Sequence, residues 1–221
     1  MKLFRDRSIR ANASFYMTMI SLIQSLALGY FATTLKPDSL FAPVSFAAWL
    51  FSFFSYGLVV QMIVITWHEY SIGAICYTWP LGYSDSWIPI LLGFCEYFVI
   101  TFATAGHLPY SFAGGRSVPY FFIALTAFAV LGWVAFYNQY QKVVTDRMEN
   151  REILALVEPY LISTRRLMFG NIFTYFFGFL ATWWCSREWV SVLFLVAGNA
   201  TLIFHAVRSK RVYDRVFAPD A

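Results

Sequence analysis

Glu96 is where this sequence most plainly asks for chemistry. It is the one carboxylate deep inside an apolar run, about ten residues beyond Trp87, which at a helical rise of 1.5 Å per residue is roughly 15 Å in. That depth is close to the midplane of a hydrocarbon core about 30 Å thick. A charge there costs at least about 2.5 kcal/mol, so such a residue is expected either to serve a function or to be held by a firm partner. Gln24, Gln61 and Asn199 fall inside other apolar runs. With Glu96 they form the candidate path for a solute or ion, and the plainer reading makes them hydrogen-bonded glue between helices.

A second set, His68, Glu69, Asp85 and His205, falls at the ends of apolar runs and reads as an interfacial polar cluster. Imidazoles near the carboxyl end of a helix interact well with its last carbonyls, and this is the ordinary role expected for His68 and His205. The same two histidines, at one membrane level, are also the only pair placed for axial ligation of a haem, the single cofactor the sequence brings to mind. His68-Glu69 is not half of a metalloprotease motif, because Ile72 rather than a second histidine stands four residues after His68. No Gly-x-Ser-x-Gly occurs, and Cys76, Cys95 and Cys185 are odd in number with no Cys-x-x-Cys spacing. Neither a nucleophile elbow, a disulfide framework nor a zinc site is expected, no catalytic residue is assigned, and an enzymatic function finds little support.

The elements that must position these residues are apolar helices. Of the 221 residues 59% are apolar and 13% charged, far from the roughly 45–50% and about 25% of soluble domains. The expected fold is all-α: a polytopic integral membrane helical bundle of about six spans, near 13–35, 44–67, 87–105, 119–140, 167–184 and 189–207, in a single membrane domain. The basic arm before the first span precedes an apolar run too long for the core of a cleavable signal, so that run is read as a retained span. Between the second and third spans, the stretch near 70–86 has no Lys or Arg and is apolar from Ile72 to Leu81, too short to cross and too greasy to be solvated. With Pro80 and Gly82 inside it, an interfacial or re-entrant segment is expected there. Pro89 then falls in the first turn of the third span, where its missing N–H does no harm.

Small residues indicate which faces meet protein. Ser21, Ser25 and Gly29 recur at spacings of four in the first span and are expected to pack against a neighbour, leaving Phe15, Leu22 and Phe31 to face elsewhere. Ser52, Tyr56 and Gly57 repeat the pattern in the second. Beyond the fourth span, Val144, Met148 and Leu154 or Ala155 recur at helical spacing, so a cytoplasmic amphipathic helix is expected over 141–166, weakened at Pro159.

Orientation follows the cations. All of the 16 Lys and Arg except Lys36, Arg116 and Arg187 fall on one side of a six-span layout, which places both termini in the cytoplasm of a cell whose inner membrane holds the protein. The net charge of +4 then reflects topology and attraction to anionic headgroups, and nucleic acid is not implied. Two main functional readings remain open, with a third behind them. One is a homo-oligomeric channel or transporter-like bundle that passes or gates a small solute or ion around Glu96. The other is a sensor or scaffold subunit that holds a soluble cytoplasmic protein through Arg147, Arg151, Glu149 and Glu152 and the basic tail. A haem-binding or other redox subunit is the third.

Overall fold

The computed structural model describes residues 2–41, 43, 45–76, 83–105, 117–145, 151–185 and 188–217. Its helices are α1 (Lys2–Thr34), α2 (Asp38–Phe41), α3 (Phe46–Cys76), α4 (Tyr83–Ala105), α5 (Ser117–Thr145), α6 (Arg151–Trp184) and α7 (Glu188–Phe217), with no strand among the described residues. Five of them are long and apolar enough to cross a membrane, over Met17–Thr34, Phe46–Ser71, Trp87–Ala105, Ser117–Gln141 and Glu188–Val212. The expected span at 167–184 is helical as the second half of α6 but is not among the five. Asn171, Thr174, Tyr175 and Thr182 dilute its apolar run.

Side-chain contacts fix how the helices run. Along α5 and α6, Tyr120 meets Trp183, a Cβ on Gly178 would meet Phe122, one on Gly132 would meet Met168, and Arg165 lies over Tyr137, so the two helices are antiparallel along their length. α7 runs antiparallel to α6, with Tyr175 against Gly198 and Thr201 donating to Asn171 Oδ1 at 2.6 Å. α3 and α7 run parallel: Ser45 donates to Glu188 Oε2 at 3.0 Å where both begin, and Gln61 meets Asn199 further along. Ser45 also accepts the Ala48 N–H at 3.1 Å, which satisfies one of the donors left bare at a helix start. α1 and α4 are parallel neighbours, with Tyr30 stacked on Tyr97 at 4.7 Å between ring centres and bonded to the Thr101 hydroxyl at 3.0 Å. The core is dominated by Phe51, Phe121, Phe122, Leu58, Leu125, Leu161 and Leu195, all buried.

Several expectations are corrected. On α1 the buried residues are Ile20, Gln24, Ala27 and Phe31, one helical stripe, while Ser25 is exposed and a Cβ on Gly29 would meet nothing within 4 Å. Ser25 and Gly29 therefore point away from the bundle and Phe31 points into it, against expectation, while Ser21 meets Trp67 of α3 and Leu22 is exposed as expected. Larger side chains fill the space between α1 and its neighbours better than Ser and Gly would, and the close approach is made instead by Gly93 of α4 against Ile23. The stretch near 70–86 is largely helix: 70–76 continue α3 and 83–86 open α4, with 77–82 outside the described residues. Pro89 thus lies inside α4 rather than in its first turn, where the Asp85 carbonyl loses its usual N–H partner. Of the helix expected over 141–166, 141–145 are helical in α5 and 151–166 in α6, which is continuous through Pro159, and 146–150 lie outside the described residues.

Candidate functional site

α3 supplies polar groups to two neighbours, and helical geometry explains why. Gln61 and Glu69, eight residues apart, lie within about 80° of each other around the helix at 100° per residue, and both turn toward α7. Thr66 lies about 140° around from Gln61 on the same geometry and turns toward the seam of α1 and α4.

At that seam Glu96 is 1% exposed and Gln24 5%. The Gln24 Nε2 donates to Glu96 Oε2 at 3.1 Å, and the Thr66 hydroxyl lies beside the carboxyl. Glu96 Oε1 and Gln24 Oε1 are both buried without a hydrogen-bond partner. The room that Gly93 leaves one turn before Glu96 is taken by Ile23, whose Cγ2 would lie 2.7 Å from a Cβ there. Tyr70, Ile88, Leu92 and Ile20 close the seam on one side as a small buried cluster.

Gln61 does not face Glu96. Its Nε2 donates to Asn199 Oδ1 at 2.9 Å, and Asn199 Nδ2 donates to the Phe54 and Leu195 carbonyls at 3.0 and 2.8 Å. Asn199 is therefore a fastener between α3 and α7, set against Gly57. The expected four-residue path is in fact two separate pairs, Gln24 with Glu96 and Gln61 with Asn199. The angle between Gln61 and Thr66 around α3 keeps them apart.

The interfacial cluster is more tightly assembled than its sequence positions imply. Glu69 Oε1 accepts the Tyr160 hydroxyl at 2.6 Å and the Ser209 hydroxyl at 2.5 Å, and His205 Nε2 approaches it to 3.1 Å. His68 Nδ1 lies 3.2 Å from Ser209 Oγ and 3.9 Å from the same carboxylate oxygen. Glu69 and His205 are buried. Burial pushes the Tyr160 phenol well above its ordinary value of 10, and the Glu69 charge beside it adds to the shift, so Tyr160 serves as a donor. His68 and His205 do not end their helices, because α3 continues to Cys76 and α7 to Phe217. The helix-capping role expected for them gives way to a shared hold on one carboxylate. His205 Nε2 faces Glu69 and His68 Nδ1 faces Ser209. Among the described residues no group of three His, Cys, Asp or Glu is arranged to hold a metal ion.

Tyr160, Ser209 and Thr66 are the site residues that sequence reasoning passed over. Ser209 stands four residues after His205 and so shares its helix face, a signal that was available. Tyr160 follows Pro159 in a stretch read as cytoplasmic, and nothing local marks it as buried. Asp85 opens α4, but its side chain lies outside the described ones, as do those of Arg151 and Glu152, and 146–150, with Arg147 and Glu149, are outside the described residues. The chain matches no protein family model, no curated protein and no solved structure.

Proposed function

We propose that this chain is a six-span protein of the inner membrane, both termini cytoplasmic, that assembles as a homo-oligomer and forms or gates a path for a small solute or ion at Glu96. The observation that carries the reading is the fully buried carboxyl of Glu96, inside a helix apolar enough to cross a membrane, with one oxygen unpartnered. Ionisable groups at such depth mark ion and substrate pathways more often than they serve as ornament. The sixth span is supported by α6 lying antiparallel to α5 from Trp183 beside Tyr120 to Arg165 beside Tyr137, which gives it the depth of its neighbour. Arg165 is held there over Trp133, Tyr137 and Tyr140 at 5.6, 4.8 and 5.3 Å, an anchorage suited to a headgroup boundary.

An even number of crossings has a direct check. A periplasm-active reporter fused after Ala221 is expected to be silent, and a bright signal would make the count odd.

In proteoliposomes, flux of the transported ion is expected to fall to the level of protein-free vesicles in Glu96→Ala, with the protein still helical and monodisperse in detergent. The scaffold reading is the alternative, and one observation favours it: Arg166, Lys210, Arg211 and Arg215 are exposed at the end where α6 begins and α7 finishes. If Glu96→Ala changes no activity while charge reversal at Arg147 and Arg151 releases a copurifying soluble protein, the path at Glu96 is abandoned in favour of that partner.

A further inference from the structure

We propose that Glu96 is a proton-binding site, which takes its proton on Oε1 and closes with the Gln24 amide a ring of two hydrogen bonds. Half of that ring is already in place as the Gln24 Nε2 to Glu96 Oε2 bond of 3.1 Å. The other half is marked by what is missing: Glu96 Oε1 and Gln24 Oε1 are buried acceptors, and neither has a donor. Leaving one buried polar atom unpaired costs about 1–3 kcal/mol, and here two sit on the same pair of side chains. A carboxylate and an amide oxygen cannot satisfy each other, because both only accept. A single hydrogen on Glu96 Oε1 turns that repulsion into a donor–acceptor pair, and the broad terminal torsions of both side chains let the oxygens meet without moving either helix.

A proton suits the site better than a metal ion. Hard cations take six or more oxygens, whereas this seam offers Glu96, Gln24 and the Thr66 hydroxyl. The helices are also pressed together one turn away, where Ile23 already fills the space above Gly93. A proton needs no added volume.

Among the described residues the surroundings carry no compensating charge. α1 presents Gln24 with Ile20 and Ile23, and α3 presents Thr66 and Tyr70. Glu69, one turn beyond Thr66, is occupied with Tyr160, Ser209 and His205. α5 has no Asp, Glu, Lys, Arg or His between Ser117 and Gln141, and on α4 itself the adjacent titratable groups are the Cys95 thiol and the Tyr97 phenol. The O–H bond that forms at Oε1 takes its proton from water and leaves Glu96 neutral, and release returns the proton to water.

This deepens the proposed path by naming its ion, and it rests on that reading for its role in transport though not for the binding itself. The test uses the full-length protein in phosphatidylcholine–phosphatidylglycerol vesicles, examined by infrared spectroscopy at neutral pH. A carboxylic-acid carbonyl band is expected that shifts on 13C labelling of glutamate carboxyls, vanishes in Glu96→Gln and moves to higher frequency in Gln24→Leu, where the carbonyl loses its N–H donor. Absence of any glutamate acid band, or a band that survives Glu96→Gln, overturns the proposal. A band that is lost in Glu96→Gln but does not move in Gln24→Leu overturns the ring. Should Glu96→Gln fold poorly, labelled wild type against Gln24→Leu still decides the matter. A pH-sensitive dye inside the same vesicles separates the two ideas. The acid band without proton flux sinks the path and keeps the site, and flux abolished by Glu96→Ala without an acid band does the opposite.

Discussion

Glu69→Leu is expected to cost about 3–5 kcal/mol, the range found when one member of a buried charged network is removed. A single interhelical hydrogen bond in a membrane bundle averages only about 0.6 kcal/mol, because the separated helices find other partners. Glu69 is different in kind. One of its oxygens accepts the Tyr160 and Ser209 hydroxyls, with His205 Nε2 3.1 Å away, drawing α3, α6 and α7 to a point. Leucine strands both hydroxyl donors in the interior at once and removes the charge beside His205, whereas glutamine keeps the size and one acceptor and is expected to cost less. Thermal unfolding in mild detergent gives the measurement, with Glu69→Leu in a Tyr160→Phe and Ser209→Ala background as the control. In that background the penalty should shrink, since both orphaned donors are gone. A loss under about 1 kcal/mol in the single variant would mean the network contributes little beyond ordinary interhelical bonds.

Gly198→Ala is expected to destabilise by about 1–3 kcal/mol through overpacking. A Cβ at Gly198 would lie 2.7 Å from Tyr175 Cε1 and 2.8 Å from its hydroxyl oxygen. Tyr175 is itself buried, so its ring has nowhere to retreat. The same clash recurs at Gly178, where a Cβ would stand 2.8 Å from Phe122 Cδ1, so α6 is pinched against α5 on one side and α7 on the other. Gly29→Ala is the contrast: with nothing within 4 Å, it should be neutral or gain up to about 1 kcal/mol of helix propensity. Tyr175→Leu combined with Gly198→Ala should recover most of the loss. If the single variants at Gly29 and Gly198 behave alike, the close approach of α6 and α7 is not what holds that seam.

Much of the architecture was legible because hydrophobic length and amide placement are local properties. The apolar runs appear as helices, and Glu96 is buried with Gln24, one of the partners named for it. What escaped was set by rotation around a helix and by contacts between distant segments. The stripe Ser21, Ser25 and Gly29 looked like a packing face, yet it is the neighbouring stripe with Phe31 that α3 and α4 accept. Gln61 and Glu96 looked like partners by depth, yet the turn of α3 sends Gln61 to Asn199. His68, Glu69 and His205, expected with Asp85 as a helix-end cluster, come together within α3 and α7 instead. Their common purpose needed Tyr160, which reaches Glu69 from 91 residues away in the chain.

The exposure of α1 bears on the direction from which a proton would reach Glu96 under the proposed reading. Of the five apolar spans, α1 has the smallest share of its residues inside the bundle, and it supplies Gln24. In a lipid solvent an apolar helix gains nothing from hydrophobic burial, since acyl chains are as apolar as leucine. Beyond packing, α1 is therefore held by Gln24 to Glu96, Tyr30 to Thr101 and Ser21 to Trp67, together worth about 2 kcal/mol at typical membrane values. Under the proposed reading, a small tilt of this one helix would open a lateral seam to Glu96 from the lipid side while the pairing of α3, α5, α6 and α7 stays intact. The entrance would then be a side door rather than a central bore, latched by the Gln24 to Glu96 hydrogen bond.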